Sequence, residues 1–170
     1  MNCRDTYTVI FGCGNILLGD DGFGPAVIES LNSTVPLPDN VLTVDAGTGV
    51  REYLLDYLLS PAARADRIIV VDAMDTPGIH PGTLMERDPS AISAEKLHDF
   101  SLHQFPTVNL LRELALETST LVTLLTAQIE SIPDTVRPGL SAPVAAAIPP
   151  ACRSICRMVP ALQKKDMRWS

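Results

Sequence analysis

The sequence has 170 residues, of which 46% are hydrophobic and 19% are charged, and its formal net charge is −7 at pH 7. This length and composition are typical of a single globular domain, here residues 1–170, and the acidic balance argues against a nucleic-acid-binding protein. The sequence has no run of roughly 18 to 20 apolar residues that could span a membrane, and no signal-peptide core. We therefore expect a cytoplasmic protein that binds neither membranes nor nucleic acids.

The first half of the chain alternates between strand-like and helix-like segments. Runs of β-branched and apolar residues predict three strands, and the amphipathic segments between them predict two helices. The third strand is an almost unbroken apolar run, which is typical of a strand covered on both faces. The predicted elements are strands at residues 7–11, 41–44 and 67–71 and helices at residues 25–31 and 50–59.

The second half continues this alternation after an irregular, polar interruption. The predicted elements are an edge strand at residues 82–86, an irregular segment at 88–106, a helix at 107–117, a buried strand at 121–129 and a helix at 141–162. Pro149 and Pro150 must kink or divide the last helix, because proline lacks the backbone donor that a helix interior requires.

The order of these elements predicts an α/β fold, a three-layer α/β/α sandwich with a mainly parallel twisted sheet. In such sheets the functional residues gather at the carboxyl ends of the strands. That rule selects residues 12–21, residues 45–49 and Asp72 as the places to look for a site.

The glycine-rich segment at residues 12–14 invites a dinucleotide-binding interpretation. The third glycine of GxGxxG would fall at Leu17, so the fingerprint fails. Asp20 and Asp21 would also repel a phosphate placed at the start of the following helix. A nucleotide-binding regulator is therefore disfavoured.

An ordinary hydrolytic nucleophile is also not evident. The sequence contains no GxSxG or HExxH motif, and Cys13 has no evident His partner, so a small structural side chain is the favoured interpretation of Cys13. A partner brought close only in space stays open. Cys152 and Cys156 stand four apart on a predicted helix, which favours side-by-side packing over a disulfide.

Asp21, Asp72 and His103 form the remaining set of oxygen and nitrogen donors. Two carboxylates and one imidazole give Ni²⁺ or Zn²⁺ an incomplete ligand set, which leaves coordination positions open to something else. From the residues alone three alternatives remain: Asp21 as a helix cap, Asp72 as a turn residue at the end of its strand, and His103 as a loop histidine.

Residues 12–25, GCGNILLGDDGFGP, resemble the N-terminal motif GxGNxLxxDDGxG of the hydrogenase maturation endopeptidases. The resemblance continues, in the family's order and approximate spacing, through residues 45–49, 70–73 and 101–104, and it covers roughly residues 8–159. Within the family, the sequence looks most like the branch that serves the coenzyme F420-reducing hydrogenase of methanogenic archaea.

The resemblance implies an endopeptidase that removes the C-terminal extension from the nickel-loaded precursor of a [NiFe]-hydrogenase large subunit. It places the family's three metal-contacting residues on Asp21, Asp72 and His103, and its functionally sensitive acidic loop on Asp45 and residues 47–49. The nickel would belong to the precursor, so no tightly held metal is expected in the isolated protein. Asp45, Asp21, Asp72 and His103 are then the expected catalytic residues.

Two mechanisms and one other function are compatible with these residues. The docked nickel could polarise the cleaved carbonyl or activate water, as metal hydrolases do. Asp45 could instead act as a general base, and we expect it to assist the positioning that nickel provides. The alternative function is a non-catalytic nickel-checking or metal-delivery module that uses the same three ligands.

Overall fold

A five-stranded sheet organises the fold. The computed structural model describes residues 6–60, 65–91, 105–160 and 162. The strands are β1 (Thr8–Cys13), β2 (Val41–Gly47), β3 (Arg67–Met74), β4 (Leu84–Arg87) and β5 (Leu121–Gln128). The helices are α1 (Phe23–Thr34), α2 (Val50–Leu59), α3 (Phe105–Glu117), α4 (Ala142–Ala146) and α5 (Ile148–Met158).

The sheet is mainly parallel, with the strand order β2-β1-β3-β5-β4. β1 pairs in parallel with both β2 and β3, and β3 pairs in parallel with β5. β4 lies at the edge and runs antiparallel to β5. The predicted α/β fold and mainly parallel sheet are therefore confirmed, and so is the edge position of the fourth strand.

Two hydrophobic cores lie on opposite faces of the sheet. Ile10 of β1 and Val71 of β3 are fully buried on the face that α1 and α5 cover. Phe11 and Val70, each one residue away, are fully buried on the face that α2 and α3 cover. Successive side chains of a strand point to opposite faces, and burying each such side chain contributes about 1.5–3 kcal/mol. The sheet is thus covered on both sides, as the apolar strands predict.

The chain changes direction across the sheet between β2 and β3. From β1 it passes through α1 to β2 on one side, and from β2 it passes through α2 to β3 on the other side of β1. Ligand-binding crevices in open α/β sheets form at such a switch point, outside the carboxyl ends of the strands. The fold therefore directs attention to the carboxyl ends of β1 and β3.

A close approach of backbones fixes the start of α1 at this switch point. A Cβ added to Gly24 would lie 2.2 Å from the Cys13 carbonyl oxygen and 2.5 Å from the Val71 carbonyl oxygen. Real Cβ atoms do not come this close to backbone atoms, so only glycine allows α1 to start directly against β1 and β3. The first turn of α1 is held beside the carboxyl ends of both strands.

β3 is longer than predicted, whereas the predicted division of the last helix is confirmed. β3 continues to Met74 instead of ending at Asp72, because its pairing with β5 extends through Met74 after its last pair with β1, which Val71 makes. The C-terminal helix is divided at Ala147 into α4 and α5. Pro149 and Pro150 lie in the first turn of α5, where their missing N–H groups would have no helical partner in any case.

The structure also shows whether two cysteines of α5 are bridged and whether any described helix could cross a membrane. Cys152 and Cys156 form no disulfide with each other, as side-by-side packing on one helix predicts. Within the part of the chain that the structure describes, no helix is both long and apolar enough to cross a bilayer.

Candidate functional site

Asp21 is folded back over the end of β1. The backbone N–H of Asn15 donates a hydrogen bond to Asp21 Oδ2 over 2.7 Å. The chain turns at Gly14, whose φ is +123°, and a Cβ there would lie only 1.8 Å from the Asp21 carbonyl oxygen. The glycine therefore lets the backbone of Asp21 lie directly against the loop that leaves β1.

Asp21 does not cap the following helix. The N-cap of α1 is Gly22, and within the described residues no side chain caps the free amides of its first turn. The helix-cap alternative for Asp21 is therefore wrong, because its bonded oxygen accepts from Asn15 instead.

Asp72 lies inside β3, so the turn-residue alternative is wrong as well. By strand alternation its side chain shares the face of Val70 and Met74 and is partly buried. Its Oδ1 accepts a hydrogen bond from the N–H of Ala73 over 2.8 Å. The pKa of Asp72 is raised from 3.8 to about 7, chiefly because the side chain is buried; the hydrogen bond from the Ala73 N–H lowers the pKa, and the charge of Asp21 raises it. Near neutral pH a large fraction of the Asp72 side chains is protonated.

The raised pKa of Asp72 should make the stability of the protein depend on pH, and replacing Asp72 by Asn should remove that dependence. The folded pKa of about 7 exceeds the usual value of 3.8, so the folded state binds the proton more tightly. In the wild type, the free energy of unfolding should therefore fall as pH rises from about 4 to about 7 and then level off. At pH 8 the Asp72→Asn variant should be about 1–2 kcal/mol more stable than the wild type. The full change in the pKa of Asp72, from 3.8 to about 7, corresponds to roughly 4 kcal/mol, which is the upper limit of this effect.

Urea denaturation at pH 4.5 and pH 8 measures this effect. Asp39→Asn, at an exposed position just before β2, is the control with the same loss of charge. Equal pH slopes for the wild type and Asp72→Asn would show that folding does not raise the pKa of Asp72.

Cys13 is the last residue of β1 and is 4% exposed. Burial raises its pKa well above the usual value, and the charges of Asp72, Asp45 and Asp21 raise it further, in that order. All three carboxylates therefore lie within electrostatic range of one buried thiol. A thiol that stays protonated is a poor nucleophile, so the structure favours a packing role for Cys13.

Asp45 lies at the end of β2, next to the same loop. β2 bulges here, because Gly12 pairs with Asp45 while Cys13 pairs with Gly47. Gly47 donates its N–H to Asp45 Oδ1 over 3.1 Å and accepts the N–H of Gly14 over 2.9 Å. The side chain of Asp45 is exposed. The acidic loop is thereby joined to the loop that carries Asp21, with its carboxylate open to a substrate.

His103 lies outside the described residues, so the third predicted ligand stays a prediction. Among residues 6–60, 65–91, 105–160 and 162, no three His, Cys, Asp or Glu side chains are grouped closely enough to hold a metal ion. α3 begins at Phe105 and ends shortly before Leu121, which pairs with Arg67 at the start of β3. The last turn of α3 is therefore near the amino edge of the sheet, and its first turn points to the carboxyl edge.

Asp20 has a role that the sequence did not reveal. It is 1% exposed, and its Oδ2 accepts hydrogen bonds from the N–H of Glu130 (2.8 Å), the N–H of Ser131 (3.4 Å) and the hydroxyl of Ser141 (2.9 Å). Its Oδ1 accepts the N–H of Ser141 over 2.6 Å. Asp20 thus connects the loop of the candidate site to the segment between β5 and α4.

Asp21 and Asp72 can each offer one oxygen to a ligand. Oδ2 of Asp21 and Oδ1 of Asp72 are hydrogen bonded, whereas within the described residues Oδ1 of Asp21 and Oδ2 of Asp72 accept no hydrogen bond. Carboxylate oxygens suit divalent cations, and two of them leave most coordination positions open. The site is chemically suited to contact a metal that brings ligands of its own.

Comparisons with known proteins identify the family of the chain. A family model described as hydrogenase maturation protease matches residues 25–158. A putative hydrogenase maturation protease of Methanocaldococcus jannaschii is 35% identical over 147 residues, which are 86% of this chain and 92% of the relative. The coenzyme F420 hydrogenase subunit delta of Methanothermobacter thermautotrophicus is 35% identical over 154 residues, which are 89% of this chain and 93% of that subunit.

Solved structures with a similar fold include other hydrogenase maturation proteases. The hydrogenase maturating endopeptidase HybD from Escherichia coli has a TM-score of 0.68 and 28% identity, over 89% of this chain and 90% of that chain. The [NiFe] hydrogenase maturation protease HycI from Thermococcus kodakarensis has a TM-score of 0.69 and 25% identity, over 92% and 94% of the two chains. The family resemblance of the sequence is confirmed: the chain belongs to the hydrogenase maturation protease family and is a peptidase.

Proposed function

We propose that this peptidase removes the C-terminal extension of a nickel-loaded [NiFe]-hydrogenase large-subunit precursor, and that it recognises the precursor through the nickel. The observation that carries the proposal is the placement of Asp21 and Asp72. Asp21 follows β1 and Asp72 belongs to β3, the two strands at the switch point. Each side chain keeps one carboxylate oxygen that accepts no hydrogen bond from the described residues. A pair of this kind fits a metal ion that a substrate already holds.

The roles of the individual side chains follow from this placement. Asp21, Asp72 and His103 complete the coordination of the precursor's nickel and thereby position the bond to be cleaved. Asp72 must lose its proton when it contacts a cation, so docking should release protons near neutral pH. Asp45, exposed at the neighbouring strand end, is placed to accept a proton from the attacking water.

The particular precursor is proposed to be the large subunit of the coenzyme F420-reducing hydrogenase. The support is the 35% identity to the subunit delta of the coenzyme F420 hydrogenase over nearly the whole of both chains. The purified protein should process that precursor faster than the precursor of another [NiFe]-hydrogenase from the same cell. Equal rates would leave the family activity in place and remove the F420 assignment.

Incubation of the purified protein with nickel-loaded precursor tests the function itself. We expect a released C-terminal peptide, detected by mass spectrometry. Stable binding without a released peptide would instead favour the non-catalytic nickel-checking or metal-delivery module.

Replacing Asp45 by Asn should slow this cleavage by about 100-fold without affecting folding or docking. Asn keeps the size of the side chain and an oxygen that can accept the N–H of Gly47, but it cannot accept a proton from water. Asp39→Asn, at an exposed position just before β2, is the control with the same loss of charge. An unchanged cleavage rate for Asp45→Asn would assign Asp45 to the architecture of its loop.

A further inference from the structure

A groove runs along α1 and opens beside the candidate site. Its volume is about 550 Å³. Residues of α1 and its N-cap, from Gly22 to Ser33, form one side of the groove, and Leu140 is among the residues that line it from other parts of the chain. Ile16 and Asp45 also line it. Ile16 follows Asn15, whose N–H holds Asp21, so the groove begins next to the proposed nickel contact.

The length of the groove suits a short piece of extended chain. A helix rises by about 16 Å between positions 22 and 33. An extended chain advances by about 3.3 Å per residue, so the groove has room for roughly five residues.

The chemistry of the lining selects what such a segment would carry. Ile16 is 59% exposed, and the partly exposed Ala26 and Leu140 add apolar surface. Glu29 is exposed and lines the groove together with Asp45. No lysine or arginine is among the lining residues that the structure describes. The groove is therefore complementary to a chain with apolar side chains and a positive charge.

We propose that this groove binds the extended segment of the precursor that flanks the cleaved bond, an apolar segment carrying at least one basic side chain. The inference rests on the proposed function, because the precursor is the occupant. The groove is continuous with Asp45 and with the loop that carries Asp21, and this continuity supports the precursor as its occupant. A precursor whose nickel contacts Asp21 lies next to Ile16, where the groove begins. Exposed Leu17 and Val136 extend the apolar surface at this end.

Two substitutions test the groove with nickel-loaded precursor as the probe. Glu29→Lys reverses the charge of one side chain that lines the groove, and Ala26→Trp fills part of the groove with a large side chain. Each should raise the KM for release of the C-terminal peptide by about five- to tenfold and leave kcat within about twofold. Glu113→Lys, at an exposed position on α3 and thus on the opposite face of the sheet, is the matched control and should change neither constant. Thermal unfolding verifies that the variants are folded.

Binding of the same precursor, measured by biolayer interferometry, separates the groove from the proposed function. If the wild type binds the precursor but does not cleave it, and both groove variants bind it about five- to tenfold more weakly, the groove stands and the proposed cleavage of this precursor fails. If the wild type neither binds nor cleaves it, both proposals fail. Unchanged KM and binding for Glu29→Lys and Ala26→Trp would overturn the groove alone.

Discussion

Replacing Asp20 by Ala should lower the free energy of unfolding by about 3–5 kcal/mol, whereas replacing Asp21 by Ala should change it by less than about 1 kcal/mol. Asp20 is buried, and its carboxylate accepts the backbone N–H groups of Glu130, Ser131 and Ser141. Its removal leaves these donors without their partner. A domain with a free energy of unfolding of about 5 kcal/mol, the low end of the ordinary range, would be only marginally folded after such a loss.

Asp21 differs because its contacts are few and partly offset. Within the described residues its carboxylate accepts one hydrogen bond, from the N–H of Asn15, and its charge disfavours the ionised form of Asp72. Removal costs the first interaction and relieves the second, so the protein should stay folded with the pKa of Asp72 lowered. Processing of the precursor should nevertheless be lost, because one proposed nickel contact is gone.

Urea denaturation and peptide release, measured on the same preparations, compare the two positions. Ser141→Ala is the graded control, since it removes the hydroxyl bond to Asp20 and leaves the backbone bond, at a cost of about 1 kcal/mol. Equal stabilities of Asp20→Ala and the wild type would show that the carboxylate does not hold the segment between β5 and α4. Full activity of Asp21→Ala would remove that residue from the site.

The general fold was predictable because local sequence patterns coincide with the tertiary structure. α2 has the predicted bounds, Val50–Leu59, and the apolar run that begins at Arg67 predicted a strand covered on both faces. The end of β3 was misjudged because pairing with β5 extends it to Met74. Since β5 is more than 40 residues away in sequence, no local pattern at Asp72 indicates this extension.

The candidate site was predictable only in part, for a similar reason. Asp21 and Asp72 were selected by the strand-end rule and by the family motif, and the electrostatic coupling between them agrees with a shared location. Asp20 looks equivalent to Asp21 in sequence, but its partners begin at Glu130, 110 residues later. A hydrogen-bonding role over that distance leaves no signal in a single sequence.

The largest expected effect on activity is the dependence of cleavage on nickel in the precursor. The purified protein should cleave nickel-loaded precursor even after its own treatment with EDTA, and it should release no peptide from nickel-free precursor. A peptidase that owns its metal would lose activity with a chelator and recover it with added ion. Mass spectrometric detection of the peptide, together with metal analysis of the EDTA-treated protein, distinguishes the two cases.

The structure gives a physical reason for expecting an empty site in the isolated protein. The two described carboxylates are an incomplete ligand set, and a cation that binds between them must displace the proton of Asp72, whose pKa is about 7. A metal already fixed by the precursor's own ligands overcomes this competition, because it needs the protein only to complete its coordination. His103→Ala should then weaken recognition of loaded precursor by removing one nitrogen donor, with an unchanged melting temperature. Efficient cleavage of nickel-free precursor by the wild-type protein would contradict this mechanism and redirect attention to a nucleophile within the protein, such as Cys13.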